Sequence, residues 1–270
     1  MWYDISSNSK IRRLEIFNLL PKVSSSWLVP EWSEFLGRLE HLSIYSYGGD
    51  NGAGWCTNTL PGFETFFNKL PDTLFAHIKN LTFLKFVAHH DGLLEIAALQ
   101  LSSENMPSLR VLHWENMTIS PVLIKFLNRY TKTFEDFYIR HCISLCAVLE
   151  DTDTPTGADL WKALGETNSR LVRVRYQYED PPPPIDLFDW PAYGVEASAM
   201  SEERLARLDK TIEDDKSLII WPHTDLNEKY GNALFLEKGD DNRKYQLLLK
   251  EVQKRREEGK GVYGDTEMDD

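Results

Sequence analysis

The chain has 270 residues, enough for one large domain or two small ones, with 42% hydrophobic residues, 27% charged residues and a formal net charge of -12. That acidity argues against a nucleic-acid or anionic-membrane partner, since both call for clustered Lys and Arg. Three cysteines, Cys56, Cys142 and Cys146, cannot build a framework of several disulfides, and no apolar run is long enough to span a bilayer.

The elements follow in chain order. Ile11, Leu14 and Ile16 introduce a spacing that reads apolar, two variable, apolar, one variable, apolar. Pro30 to Leu36 is predicted as a helix, with proline in its first turn and Trp32, Phe35 and Leu36 on one face. The spacing returns as Leu39, Leu42 and Ile44. The stretch from Ser46 to Cys56 is glycine-rich but lacks a lysine at phosphate-loop spacing, so it reads as a loop in which Trp55 packs back, with exposure to a partner as the alternative.

From Phe63 to Ile78 the apolar residues Phe66, Phe67, Leu70, Leu74 and Ile78 predict two short helices broken at Pro71. Leu81, Leu84 and Phe86 repeat the triplet, and His89-His90-Asp91 reads as surface turn. Leu109, Leu112 and Trp114 follow, then a helix begun by Ser120 as cap and Pro121 in the first turn, with Leu123, Phe126 and Leu127 inward. The fifth triplet is Phe134, Phe137 and Ile139. After an acidic loop from Cys146 to Thr156 and a helix over Asp159 to Leu164, the sixth is Leu171, Val174 and Tyr176.

The middle residues fall at 14, 42, 84, 112, 137 and 174, so three of the steps (28, 28 and 25) lie within the period of leucine-rich repeats and two need insertions. The last two apolar residues of each triplet are two apart and face one side of a short strand, and the first fills the turn before it. The expected fold is α/β: an irregular leucine-rich repeat solenoid with parallel strands on the concave face, helices on the convex face and a C-terminal capping region. An ordinary parallel α/β domain is the alternative. The repeats occupy residues 1–180. Glu179-Asp180 and four prolines open a boundary and capping region over 181–258, in which Ser201 to Leu208 reads as helix and Leu218 to Trp221 as strand. A helix capped by Asp240 or Asp241 runs to about Glu258, and 259–270 is an acidic disordered tail.

Side chains flanking the inward ones point to the concave side in stripes. The central stripe is Glu15, Ser43, Lys85, His113, Tyr138 and Arg175. Tyr45, His113, Tyr138, Arg140, Arg173 and Arg175 are the candidate protein-binding residues, because large Tyr and Arg side chains there serve no core and are enriched among binding hot spots. No catalytic, cofactor or metal residues are assigned. Cys142 and Cys146 have no further ligands at zinc spacing. His113 and Glu115 share a strand face, which leaves an enzyme with a pocket around that pair as an alternative. A structural subunit with an apolar patch at its N-terminal end is another.

The repeat segments also resemble the leucine-rich repeat region of fungal F-box-like proteins, through Leu39-Glu40-His41-Leu42-Ser43-Ile44, Lys79 to Phe86 and Met106-Pro107-Ser108-Leu109-Arg110-Val111-Leu112. The likeness spans about residues 11–177. It implies a non-enzymatic receptor whose repeats present a substrate to a ubiquitin ligase. The first triplet starts at Ile11, so a ligase adaptor is an expected partner only if an F-box is supplied outside this chain. The cysteine usage and the absence of a signal-peptide pattern at Met1-Trp2-Tyr3-Asp4 point to a cytoplasmic or nuclear location.

Overall fold

A computed structural model describes residues 2–48, 61–89, 101–129, 133–144, 155–167, 170–177, 210 and 239–259. Strands β1 (Arg13–Leu19), β2 (His41–Ser46), β3 (Phe83–Val87), β4 (Val111–Glu115), β6 (Asp136–Arg140) and β8 (Arg173–Gln177) form a 6-stranded sheet in that order. Every pairing is parallel. Two short strands, β5 (Thr118–Ile119) and β7 (Ile143–Ser144), pair in parallel as a second sheet. Between strands the chain returns through α2 (Pro30–Leu36), α3 (Pro61–Thr73), α4 (Pro121–Leu127) and α5 (Gly157–Thr167). Helices α1 (Trp2–Ser7) and α6 (Asp240–Glu257) stand before and after them. The architecture is therefore an alternating α/β one, with a parallel sheet and flanking helices.

The register aligns the triplets. Leu14, Leu42, Leu84, Leu112, Phe137 and Val174 form one row, and Ile16, Ile44, Phe86, Trp114, Ile139 and Tyr176 the next. The leading residues Leu39, Leu81, Leu109, Phe134 and Leu171 are fully buried in the turns before their strands, while Ile11 is partly buried. Helix residues Trp32, Phe35, Phe67, Leu70, Leu123, Leu127, Trp161 and Leu164 join the same core, which is why the helices cover this side of the sheet.

Each junction repeats one hydrogen-bond pattern. The Arg12 carbonyl accepts from Glu40 N–H (2.8 Å) and His41 N–H (3.1 Å), and the Glu40 carbonyl from Thr82 N–H (2.8 Å) and Phe83 N–H (3.1 Å). Thr82, Arg110 and Glu135 do the same for the strands that follow. Left-handed residues recur two positions beyond the second aligned inward residue: Asn18 (φ 51°) at the irregularity within β1, Asn116 (φ 55°) just after β4 and His141 (φ 50°) just after β6. Asparagine tolerates that conformation better than most side chains. The Asn116 amide also donates to the Ala88 carbonyl at 2.8 Å, tying one repeat to the previous one.

Three local expectations are corrected. Helix α3 runs through Pro71 to Thr73, and the break falls at Leu74, before a 3-10 turn at Phe75–His77. Phe66, Phe67, Leu70 and Leu74 are all buried, and that burial outweighs one missing N–H. Helix α5 is longer than Asp159 to Leu164 because Thr156 and Asp159 cap it reciprocally: the Asp159 carboxylate accepts from Thr156 N–H and Oγ1–H, both at 2.9 Å. Neither Asp240 nor Asp241 caps α6. Gly239 (φ 63°) precedes it, and the Asp241 carboxylate accepts from Ala158 N–H of α5 at 2.6 Å. The expected helix at α4 matches, with the Ser120 hydroxyl accepting from Leu123 N–H at 3.3 Å.

Helix α6 lies against α5 and β8 through Tyr245, Leu248 and Val252. Arg255 donates to the carbonyls of Gly165 (2.7 Å) and Leu171 (3.4 Å), and Arg256 to that of Val172. These donors meet backbone acceptors at the last strand. The boundary prolines, the aromatic and acidic stretch with its expected helix and strand, and the acidic tail beyond Gly259 lie outside the described residues. So do Trp55, Cys56, His90, Asp91, Cys146 and most of the Cys146 to Thr156 loop.

Candidate functional site

The sheet face turned away from the helices carries the flanking residues in the register expected for them. Glu15, Ser43, Lys85, His113, Tyr138 and Arg175 align across the six strands. All six candidate binding residues sit on this face. His113, Tyr138, Arg173 and Arg175 are brought together on β4, β6 and β8, with Arg140 beside them, while Tyr45 lies at the other end on β2.

Rings form a continuous track over four strands. His41 stacks on Phe83 (5.5 Å between centroids), Phe83 meets His113 edge-on (4.9 Å), and His113 meets Tyr138 edge-on (5.1 Å). The Arg175 guanidinium then lies 4.9 Å from the Tyr138 ring centre, and the Tyr138 hydroxyl donates to Gln177 Oε1 at 2.7 Å. Near the first strand, Phe17 stacks on Tyr45 (4.7 Å), and the Lys85 ammonium sits 5.2 Å from the same Tyr45 ring. Edge-to-face and cation–π geometry of this kind holds exposed rings in one orientation.

The charges are arranged around one buried carboxylate. Asp136 is 6% exposed. Its Oδ2 takes Arg173 Nη1 and Arg175 Nη2, each at 3.4 Å, while its Oδ1 is buried without a hydrogen bond. Burial pushes this carboxyl above the usual range, against the pull of Arg175 and Arg173. Glu115 pairs with Arg140 at 3.4 Å. Burial, with Arg175 and Lys85 adding to it, holds the His113 imidazole down to about 3, and its Nε2 is buried without a partner. His41 is also lowered, by burial and then by Arg13. Burial is the main cause of both shifts, and the neighbouring cations add to it.

Two features of this face bear on the candidate residues. The face is not evenly solvated: Ser43, Phe83, Val111 and Asp136 are buried beneath their larger neighbours, so the accessible surface is the upper rim of Lys85, His113, Tyr138 and the arginines. The candidate residues are also held by one another, since Arg173 and Arg175 share a carboxylate and Arg140 has Glu115.

Sequence reasoning missed a second ladder at the edge where the strands begin. Glu135, 2% exposed, pairs with Arg110 at 2.6 Å and Arg170 at 3.4 Å, and Glu40 faces Arg12 at 4.0 Å. The signal was present: Arg12, Glu40, Thr82, Arg110 and Glu135 each follow the first apolar residue of a triplet.

Cys142 is buried, its thiol donating to the carbonyls of Trp114 (3.3 Å) and Arg140 (3.4 Å) and pushed up to about 12 by burial. Among the described residues no group of three or more His, Cys, Asp or Glu is placed to hold a metal ion. No helix among them is long and apolar enough to cross a membrane. Two described crevices lie elsewhere, one between α6 and Val174 of β8, the other lined by Leu101, Ser103, Val122, Lys125, Phe126 and Arg129. Set against known protein families, curated proteins and solved structures, the chain matches none of them.

Proposed function

We propose that the chain is an irregular leucine-rich repeat solenoid that binds another protein on its concave strand face and catalyses no reaction. One observation carries the reading. The track from His41 through Phe83, His113 and Tyr138 to Arg175 places large aromatic and cationic side chains, mutually held, on the side of the sheet that the core does not use. Pre-ordered Tyr and Arg side chains lose little entropy on binding. The aligned triplets and the recurring junction hydrogen bonds support the repeat assignment.

The resemblance to fungal F-box-like receptors extends the proposal to substrate recognition for a ubiquitin ligase in the cytoplasm or nucleus, with the F-box supplied outside this chain. The enzyme alternative has less support. A histidine held down to about 3 is a weak base at neutral pH, and Glu115 is occupied by Arg140. The structural-subunit reading rests on Phe17 and Leu20, 64% and 57% exposed at the edge strand β1, and on Leu28 at 71%.

The test is affinity purification with mass spectrometry, comparing the wild-type chain with Tyr138→Ala/Arg140→Glu/Arg175→Glu. Circular dichroism must first show that the variant is folded. Loss of a specific partner from the folded variant supports the concave-face reading, and a co-purifying ligase adaptor supports the ubiquitin context. An unchanged partner set overturns the assignment of this face.

A further inference from the structure

We infer that the partner presents an extended acidic segment, with two carboxylates about four residues apart and uncharged residues between them. This deepens the protein-binding reading and rests on it. The chain as a whole carries a net charge of -12. The strand face reverses that sign locally: Arg13, Lys85, Arg140, Arg173 and Arg175 stand against Glu15, Glu115 and Asp136. The cations gather into two foci. At β8, Arg173 and Arg175 share the single oxygen Asp136 Oδ2, so one carboxylate answers two guanidinium groups. At β3, the Lys85 ammonium lies over the Tyr45 ring, with no carboxylate partner among the described residues. Between the foci lie the uncharged rings of His113 and Tyr138.

The spacing sets the ligand's dimensions. Strands β3, β4, β6 and β8 are successive neighbours, so the foci are separated by three strand spacings, about 14 Å. An extended peptide rises about 3.3 Å per residue, so about four residues cover that distance. A peptide crossing the strands would set one carboxylate at Lys85, a second at Arg175, and small or apolar side chains over His113. Its carboxylates meet cations already fixed by ring contacts, which favours this pairing over longer-range charge attraction. Single-stranded nucleic acid fits less well. Stacking bases need open ring faces, whereas Phe83 is buried and the rings of Phe83, His113 and Tyr138 meet edge-on.

The probes are blocked ten-residue peptides in a Ser/Leu background: one with two Glu four residues apart, one with Lys at both positions, and one with Ser at both. An oligouridine is the fourth. Each is titrated against the full chain while the His113 imidazole resonances are followed by NMR, at low and high salt. The Glu peptide is expected to bind, to shift the His113 imidazole resonances at neutral pH, and to weaken at high salt. Lys85→Gln and Arg175→Gln should each weaken it about tenfold, and Lys85→Gln changes no ion pair among the described residues. Equal binding of the Lys or Ser peptide, binding of the oligouridine alone, or no response of His113 to millimolar Glu peptide would overturn the inference. The purified partner separates the two proposals. If the concave-face variant loses a partner that the Glu peptide fails to displace, the acidic-segment inference falls and the binding face stands. If no partner depends on that face, the binding reading itself falls.

Discussion

Asp241 is the residue whose position departs furthest from its sequence context. It lies in the first turn of α6, 7% exposed, yet its carboxylate serves the N-terminus of α5 through Ala158 N–H. Burial raises its pKa from 3.8 to about 6. The folded value lies above the unfolded one, so folding favours the protonated acid. The stabilising contribution is complete below 3.8 and is lost as pH rises through about 6. Asp241→Asn keeps an oxygen for Ala158 N–H and removes the buried charge. Thermal melts should give the variant a midpoint at about pH 8 equal to or above wild type, by up to roughly 3 kcal/mol of stability, and a flatter profile between pH 4 and 6. A steep drop at about pH 8 would show that the ionised form is needed. The link between α5 and α6 was not legible from the sequence, because 83 residues separate Ala158 from Asp241 and no periodicity spans such a gap. The ladder of Glu135, Arg110 and Arg170 was legible in principle. Arg110 and Glu135 appear once the triplets are aligned and the residue after each first apolar position is read down the column, while Arg170 stands just before the first apolar residue of its triplet.

At the scale of elements, the triplet Leu-x-x-Leu-x-Leu was informative because it combines two constraints: strand alternation and a buried turn residue just ahead. That is why all six main strands and their register could be anticipated from Leu14, Leu42, Leu84, Leu112, Phe137 and Val174. Helix α3 shows where local rules fail. Proline predicts a break at 71, but Pro71 falls two residues from the helix end, where one absent donor is outweighed by Leu70 and Leu74 going fully into the core. Pro71→Ala restores that donor and should stabilise the chain by about 1 to 3 kcal/mol in urea unfolding. A loss of stability would mean that the ring itself packs productively at the end of α3. The candidate face was half legible. Alternation placed Tyr138 and Arg175 on it, but could not tell that Phe83, Val111 and Asp136 are buried there, since that depends on the bulk of neighbours on adjacent strands.

At the scale of the whole molecule, the order of the described main strands equals the chain order, so among them each pairs with its predecessor and successor. Disturbance at one end should therefore fade along the sheet. The double variant Arg255→Ala/Arg256→Ala removes the donors to Gly165 in α5 and to Leu171 and Val172 just before β8. Hydrogen exchange is expected to accelerate in α5 and β8 and to stay at the wild-type rate in β1, β2 and β3. Uniform acceleration across all the strands would show a single cooperative unit instead.

The same order bears on how the protein is made. Strands β1 to β4 can pair as each leaves the ribosome, because none waits for a later segment to sit between its neighbours. The last strand differs: β8 ends at Gln177 and its covering helix begins at Asp240. At about 5 to 20 residues per second, α6 follows β8 out of the ribosome by roughly 3 to 12 seconds of synthesis. During that interval the carbonyls of Leu171 and Val172 wait for Arg255 and Arg256, so the contacts that tie α6 to the start of β8 are among the last to form.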